Sequence, residues 1–91
     1  MSSPPVSVLA VHGNGGGGFR FARAAERMPP EVRFHAVTLP GFAGVPADPG
    51  LRSLRAFAVR VREELDQLPS PRVALGHGIG GSIVLEMLQS T

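Results

Sequence analysis

Hydrophobic positions along this chain alternate between short continuous runs and longer helical stripes. Val6-Ser7-Val8-Leu9-Ala10-Val11 is β-branched and nearly unbroken, the pattern of a central parallel strand. Phe19 to Met28 suits an amphipathic helix, with Phe19, Ala22, Ala25 and Met28 toward the core and Arg20, Arg23 and Arg27 outward. Pro29-Pro30 stops it, because neither residue has an N–H to donate. Val32 to Leu39 reads as a second strand. A second helix begins between Pro49 and Ser53 and carries one clean stripe of Leu51, Leu54, Ala58, Val61, Leu65 and Leu68, widened by Phe57. Pro69-Ser70-Pro71 ends it. Val73-Ala74-Leu75 then forms a third strand, and Ile79 to Gln89 a last helix that offers Ile83, Val84, Met87 and Leu88 to the core. Strand and helix alternate three times, with connections long enough only for parallel pairing. The expected fold is therefore α/β: a short parallel sheet in a three-layer αβα arrangement, since right-handed crossovers place helices on both faces.

At 91 residues the chain makes one small domain, expected over residues 6–91 behind a disordered tail at 1–5. It contains no cysteine, so neither a disulfide framework nor a thiolate metal site is available. The net charge of +2 comes from nine arginines against seven acids, interspersed on helical faces without a basic block. With no Tyr or Trp to stack on bases, nucleic-acid binding is not expected. Residues 1 to 5 lack a charged leader segment and no apolar run is long enough to span a bilayer, so no membrane association and a cytoplasmic location are expected.

Candidate chemistry sits where strands end. The third strand runs into Gly76-His77-Gly78-Ile79-Gly80-Gly81, a turn crowded with small residues because the backbone must bend sharply and the next helix must pack closely on the strand it leaves. The first strand ends in His12-Gly13-Asn14-Gly15-Gly16-Gly17-Gly18, a loop whose N–H groups can approach an anion closely; its plainer reading is a flexible turn. After the second strand comes Leu39-Pro40-Gly41-Phe42-Ala43-Gly44.

As a set, these three loops resemble the α/β-hydrolases. The turn resembles that family's nucleophile elbow, G-H-S-x-G-G, with Gly78 where the serine should be; the loop after the second strand resembles D-x-P-G-x-G, with Thr38 where a structural acid usually stands. The resemblance covers nearly the whole chain after the tail, as an N-terminal portion of the fold ending just past the elbow helix. It implies the strand order 2-1-3, a crevice at the carboxyl ends of the first and third strands, and two oxyanion-hole donors: the backbone N–H of Ile79 and that of Asn14, with Gly15 the alternative. It implies hydrolysis of an ester or related carbonyl substrate through a serine acyl-enzyme, with no metal or organic cofactor and a small-molecule substrate as partner.

The catalytic parts of that scheme are missing here. Gly78 has no side chain, and in this family the acid and histidine follow the nucleophile in sequence. After Gly78 the only ionisable side chain is Glu86, and no histidine follows His77. His12, His35 and His77 are expected to be structural, and Ser82, one turn into the helix, to pack against the sheet rather than replace the nucleophile. The 91 residues by themselves are therefore expected to be inactive, as part of a serine hydrolase completed by a C-terminal segment, or alternatively as a non-catalytic pseudo-enzyme or interaction module that associates through its sheet edges. A rival from another class is a dinucleotide-binding βαβ unit. Gly76, Gly78 and Gly81 match G-x-G-x-x-G, as do Gly13, Gly15 and Gly18, but the acid that should hold the ribose is absent near Thr38 and Leu39.

Overall fold

The computed structural model describes residues 4–89. Most of the expected tail, residues 1–3, lies outside them, and Pro4 and Pro5 are exposed and without regular structure. Three strands, β1 (Val6–Val11), β2 (Val32–Val37) and β3 (Arg72–Gly76), form one parallel sheet in the order β2-β1-β3. Val8 stands opposite Phe34 on one side and Val73 on the other, which places the apolar run of β1 at the centre. Leu9, Ala10 and Val11 are accordingly among the most buried residues.

Two helices cover one face. α2 (Leu54–Asp66) starts at Ser53, whose side chain accepts a hydrogen bond from the Ala56 N–H, and this N-cap satisfies one of the donors that every helix leaves free at its start. α3 (Ile79–Gln89) runs beside it. Ala58 and Val61 of α2 meet Ile83 and Met87 of α3 over Leu9, Val11 and Leu39, and this is the main core. Phe57, Leu65 and Leu68 pack around it, so Ala58, Val61 and Leu65 of the expected stripe face inward from the helix, whereas Leu51 precedes it, Leu68 follows it and Leu54 at its start is exposed.

The other face is covered only in part. The expected helix over 19–28 divides into a 3-10 turn, Gly18–Phe21, and a short α1 (Ala22–Arg27). Its inward face also differs from the expected one: Phe21 and Ala24 turn partly inward, whereas Phe19, Ala22, Ala25 and Met28 are exposed. The physical cause is the ring of Phe21, which packs on Phe34 of β2 with centroids 6.0 Å apart and sets the rotation of the segment. On the same face Val73 and Leu75 of β3 stay half exposed. A second departure is in α3. Gly80, Ile83 and Met87 make its buried stripe, whereas Ser82 is exposed rather than packed on the sheet, and Leu88 is exposed as well. A close approach of Gly80 to β1 fixes that rotation, because a Cβ at this contact would strike the carbonyl oxygens of Val11 and His12. No helix among the described residues is long and apolar enough to cross a membrane.

Candidate functional site

The carboxyl ends of β1 and β3 meet at an open cleft of about 550 Å³. Gly78 and Ile79 from the turn after β3 and Asn14 from the loop after β1 line it together, so the three positions singled out in the sequence converge. Gly13, Gly16, Arg20, Phe21 and His77 complete much of the wall.

Glycine is required on either side of Gly78 for packing. A Cβ on Gly76 would lie 2.5 Å from the carbonyl oxygen of Gly80 and from the backbone of Gly81, and one on Gly80 would collide with the carbonyl oxygen of Val11. The turn is therefore folded onto itself and pressed against β1. Gly78 differs from both neighbours: its φ is +60°, a left-handed conformation, and a Cβ there would meet only the Gly13 Cα at an ordinary 3.4 Å. Position 78 thus has the backbone of a sharp strand-to-helix turn and room for a side chain. His77 O and Gly78 O accept from the N–H groups of Gly80 and Gly81 and close the turn, while the His77 N–H donates to Val11 O. Among the described residues the backbone N–H groups of Asn14 and Ile79 have no hydrogen-bond partner, and the Ile79 N–H opens helix α3, where the helix dipole favours negative charge.

The loop after β1 is fixed by residues below it. His12 is fully buried. Its Nε2 accepts from the Leu39 N–H at 3.0 Å, so Nδ1 carries the proton and donates to Gly13 O at 2.8 Å. Phe42 closes over the same ring edge-on, with centroids 5.0 Å apart. His12 is a structural histidine, as expected, and it locks the loop after β1 to the loop after β2. Thr38 does a related job that its departure from the usual acid concealed. Its Oγ1 accepts from the Gly18 N–H at 2.9 Å, tying the far end of the glycine-rich loop to β2. Ala43 meets the loop at Gly17, where a Cβ would come within 2.7 Å of its side chain. The loop is therefore held at three points, which the plainer reading as a flexible turn does not account for.

The other sequence candidates are not brought to the turn. Glu86 pairs with Arg55 of α2 at 3.5 Å, and His35 lies in β2 on a separate cleft with Glu64 and Thr38. His77 is exposed on the cleft wall, with its Nδ1 against Gly13. Arg20 and His77 are polar lining groups and no carboxylate is among the lining residues, so the cleft suits an oxygen that carries or develops negative charge. Among the described residues no group of three or more His, Asp or Glu side chains is placed to hold a metal ion.

Strand β3 thus runs through a tight turn, with Gly78 at positive φ, into α3, and this turn lines one cleft with the loop after β1. A family model described as alpha/beta hydrolase family matches residues 8–90, and the chain belongs to that family. No curated protein and no solved structure matches it in the corresponding comparisons. Family membership decides against the dinucleotide reading of the same glycines. The structure adds a reason: the Thr38 hydroxyl, near where the ribose acid would be, is committed to Gly18.

Proposed function

We propose that this chain carries the oxyanion-binding half of a serine-hydrolase site in which glycine occupies the nucleophile position. The observation that supports this most is Gly78 itself, at φ +60° with room for a Cβ, between two glycines that have none. Close packing accounts for Gly76 and Gly80 but not for a positive φ at an uncrowded position. In the parent reaction a serine Oγ at this point adds to the carbonyl carbon of an ester or related substrate and its proton passes to a histidine. The N–H groups of Asn14 and Ile79 hold the resulting oxyanion. The leaving group takes the proton, and water then releases the acyl group. In this reading the histidine and acid come from a complementary segment added at the free edge of β3, which has no neighbouring strand on that side among the described residues. The alternative, a pseudo-enzyme that associates through the same edge, shares the site and differs in what covers β3.

Without nucleophile or base, the 91 residues should hydrolyse p-nitrophenyl acetate no faster than free imidazole at the combined concentration of the exposed His35 and His77. That background is the proper reference because an accessible imidazole attacks activated esters by itself. A saturable turnover well above it, copurifying with the protein, would refute the proposal that the chain is inactive by itself.

A further inference from the structure

The loop after β1 is held firmly except at its tip. His12, Gly13, Gly16 and Gly17 are buried, whereas Asn14 and Gly15 between them are exposed. One backbone hydrogen bond, from the Gly16 N–H to Gly13 O at 3.1 Å, closes the turn in which these two are the central residues. Gly15 has φ +75°, and a Cβ built on it would meet nothing within 4 Å, so the space around this peptide is open. Among the described residues neither the Asn14 side chain nor the Gly15 N–H has a hydrogen-bond partner. Asn14 is the only asparagine of the chain.

We infer that Asn14 is a self-modification site, where the Gly15 backbone nitrogen closes on the Asn14 side-chain carbonyl and the amide becomes an acid without enzyme or cofactor. In the first step the bond from Gly15 N to Asn14 Cγ forms and the bond from Cγ to Nδ2 breaks. The hydrogen from Gly15 N leaves with Nδ2 as ammonia, and a five-membered succinimide ring joins the two residues. Water then adds to one of the two ring carbonyl carbons, and the C–N bond there breaks. Opening at the side-chain carbonyl gives aspartate. Opening at the backbone carbonyl gives isoaspartate, in which the main chain runs through the former side chain and is one methylene longer. Glycine at the attacking position matters because no Cβ stands beside the nitrogen. Ring closure turns the Asn14 peptide out of the turn, and the bond that opposes this is the one from Gly16 to Gly13 O. Either product places a carboxylate on a cleft whose lining includes Arg20 and His77 and no acid. A carboxylate there opposes negative charge beside the Asn14 N–H. This consequence rests on the oxyanion reading above, whereas the modification itself does not.

The test incubates the 91-residue protein in mildly alkaline buffer, folded and in guanidinium chloride. Samples are peptide-mapped by mass spectrometry for the amide-to-acid mass gain, with electron-transfer fragmentation to separate isoaspartate from aspartate. The folded protein should convert at Asn14 at a rate within about tenfold of the unfolded one, the factor for breaking one backbone hydrogen bond. Isoaspartate should be among the products, and the backbone amide NMR signals of Gly13, Gly78 and Ile79 should move as the acid forms. Asn14→Gln removes the five-membered ring, so it should melt as wild type does and lose the conversion. Conversion at position 14 in denaturant alone, or conversion there that Asn14→Gln retains, would overturn the proposal. A converted sample of Gly78→Ser should take up acetyl from p-nitrophenyl acetate at position 78 at least about tenfold more slowly than a fresh one, given what one oxyanion donor contributes. Equal uptake before and after conversion would leave the modification site standing and remove Asn14 from the oxyanion reading.

Discussion

Gly80→Ala should be the most damaging small substitution in this protein, and the same change at the next residue should be harmless. A Cβ on Gly80 would strike the carbonyl oxygen of Val11 and lie 2.6 Å from that of His12, and both are fixed backbone atoms of β1 and its exit. Helix α3 would have to retreat from the sheet and expose part of Ile83 and Met87, which are 2% exposed. Overpacking of this kind costs about 3 kcal/mol or more when backbone must move. Total stability for a domain of this size is on the order of 5–14 kcal/mol, so the loss is a large share. At 4–8 °C per kcal/mol for small domains, a loss of about 3 kcal/mol lowers Tm by roughly 12–24 °C. Gly81→Ala is the control. Its Cβ would meet only Gly76 O, at 3.6 Å, and alanine is the better helix former by about 1 kcal/mol, so Tm should hold or rise slightly. Thermal melts of the two variants decide it: equal losses would mean that α3 does not sit on β1 as described.

His12 should carry the next largest effect. Replacing it with alanine removes the acceptor of the Leu39 N–H, the donor to Gly13 O and the ring against Phe42, all at a fully buried position. A buried group left without its partner costs about 1–3 kcal/mol, and the cavity adds to that, for a total of about 4 kcal/mol. His12→Phe separates the two contributions. It keeps a ring of similar bulk beside Phe42 but gives the Leu39 N–H nothing to donate to, so it should lose about 1–3 kcal/mol. It should also speed hydrogen exchange at Leu39 more than elsewhere in the core. Wild-type stability in His12→Phe would mean that the histidine serves the cleft and not the fold.

Much of this arrangement is legible in the residues because several local rules agree. β1 runs over Val6–Val11 as expected because a nearly unbroken apolar run rich in valine, bounded by Pro5 and His12-Gly13, has no competing periodicity. The stripe of α2 is similarly unambiguous, and its start at Ser53 follows from the only capping side chain in the interval. The first helix was less determined. A segment with Phe19, Phe21, Ala22, Ala24 and Ala25 permits more than one apolar face, and the choice falls to Phe21 meeting Phe34, a contact between residues far apart in sequence. The exposure of Ser82 has the same origin, since the glycine contact with β1 sets the rotation of α3 and periodicity alone does not.

At the site, the positions of Gly78, Asn14 and Ile79 could be read from motif order, but their common cleft depends on the strand order. The Thr38 hydroxyl bond was hidden for a different reason: where a motif expects an acid, threonine looks like a loss until its partner, the Gly18 N–H, is seen. An apolar cavity of about 270 Å³ was also hidden, because Leu39, Phe57 and Ile83, which line it with Ile79, read individually as core.

Gly78→Ser tests directly whether position 78 is the nucleophile position, as proposed. The new Cβ would have a 3.4 Å contact with the Gly13 Cα, and the left-handed backbone costs about 1–2 kcal/mol, so the variant should fold. Its hydroxyl would lie beside the N–H groups of Asn14 and Ile79, and oxyanion donors alone retain roughly a thousandfold advantage over water when triad members are missing. Attack on p-nitrophenyl acetate would release p-nitrophenol and leave the acetyl group on the protein, where the lack of a base slows its hydrolysis. Peptide mapping by mass spectrometry after incubation with the ester should find one acetyl group at position 78 in Gly78→Ser, and none there in the wild type or in Gly78→Ala. A folded Gly78→Ser that takes up no acetyl group at that position, or only the scattered labelling of other serines seen in wild type, would contradict the account.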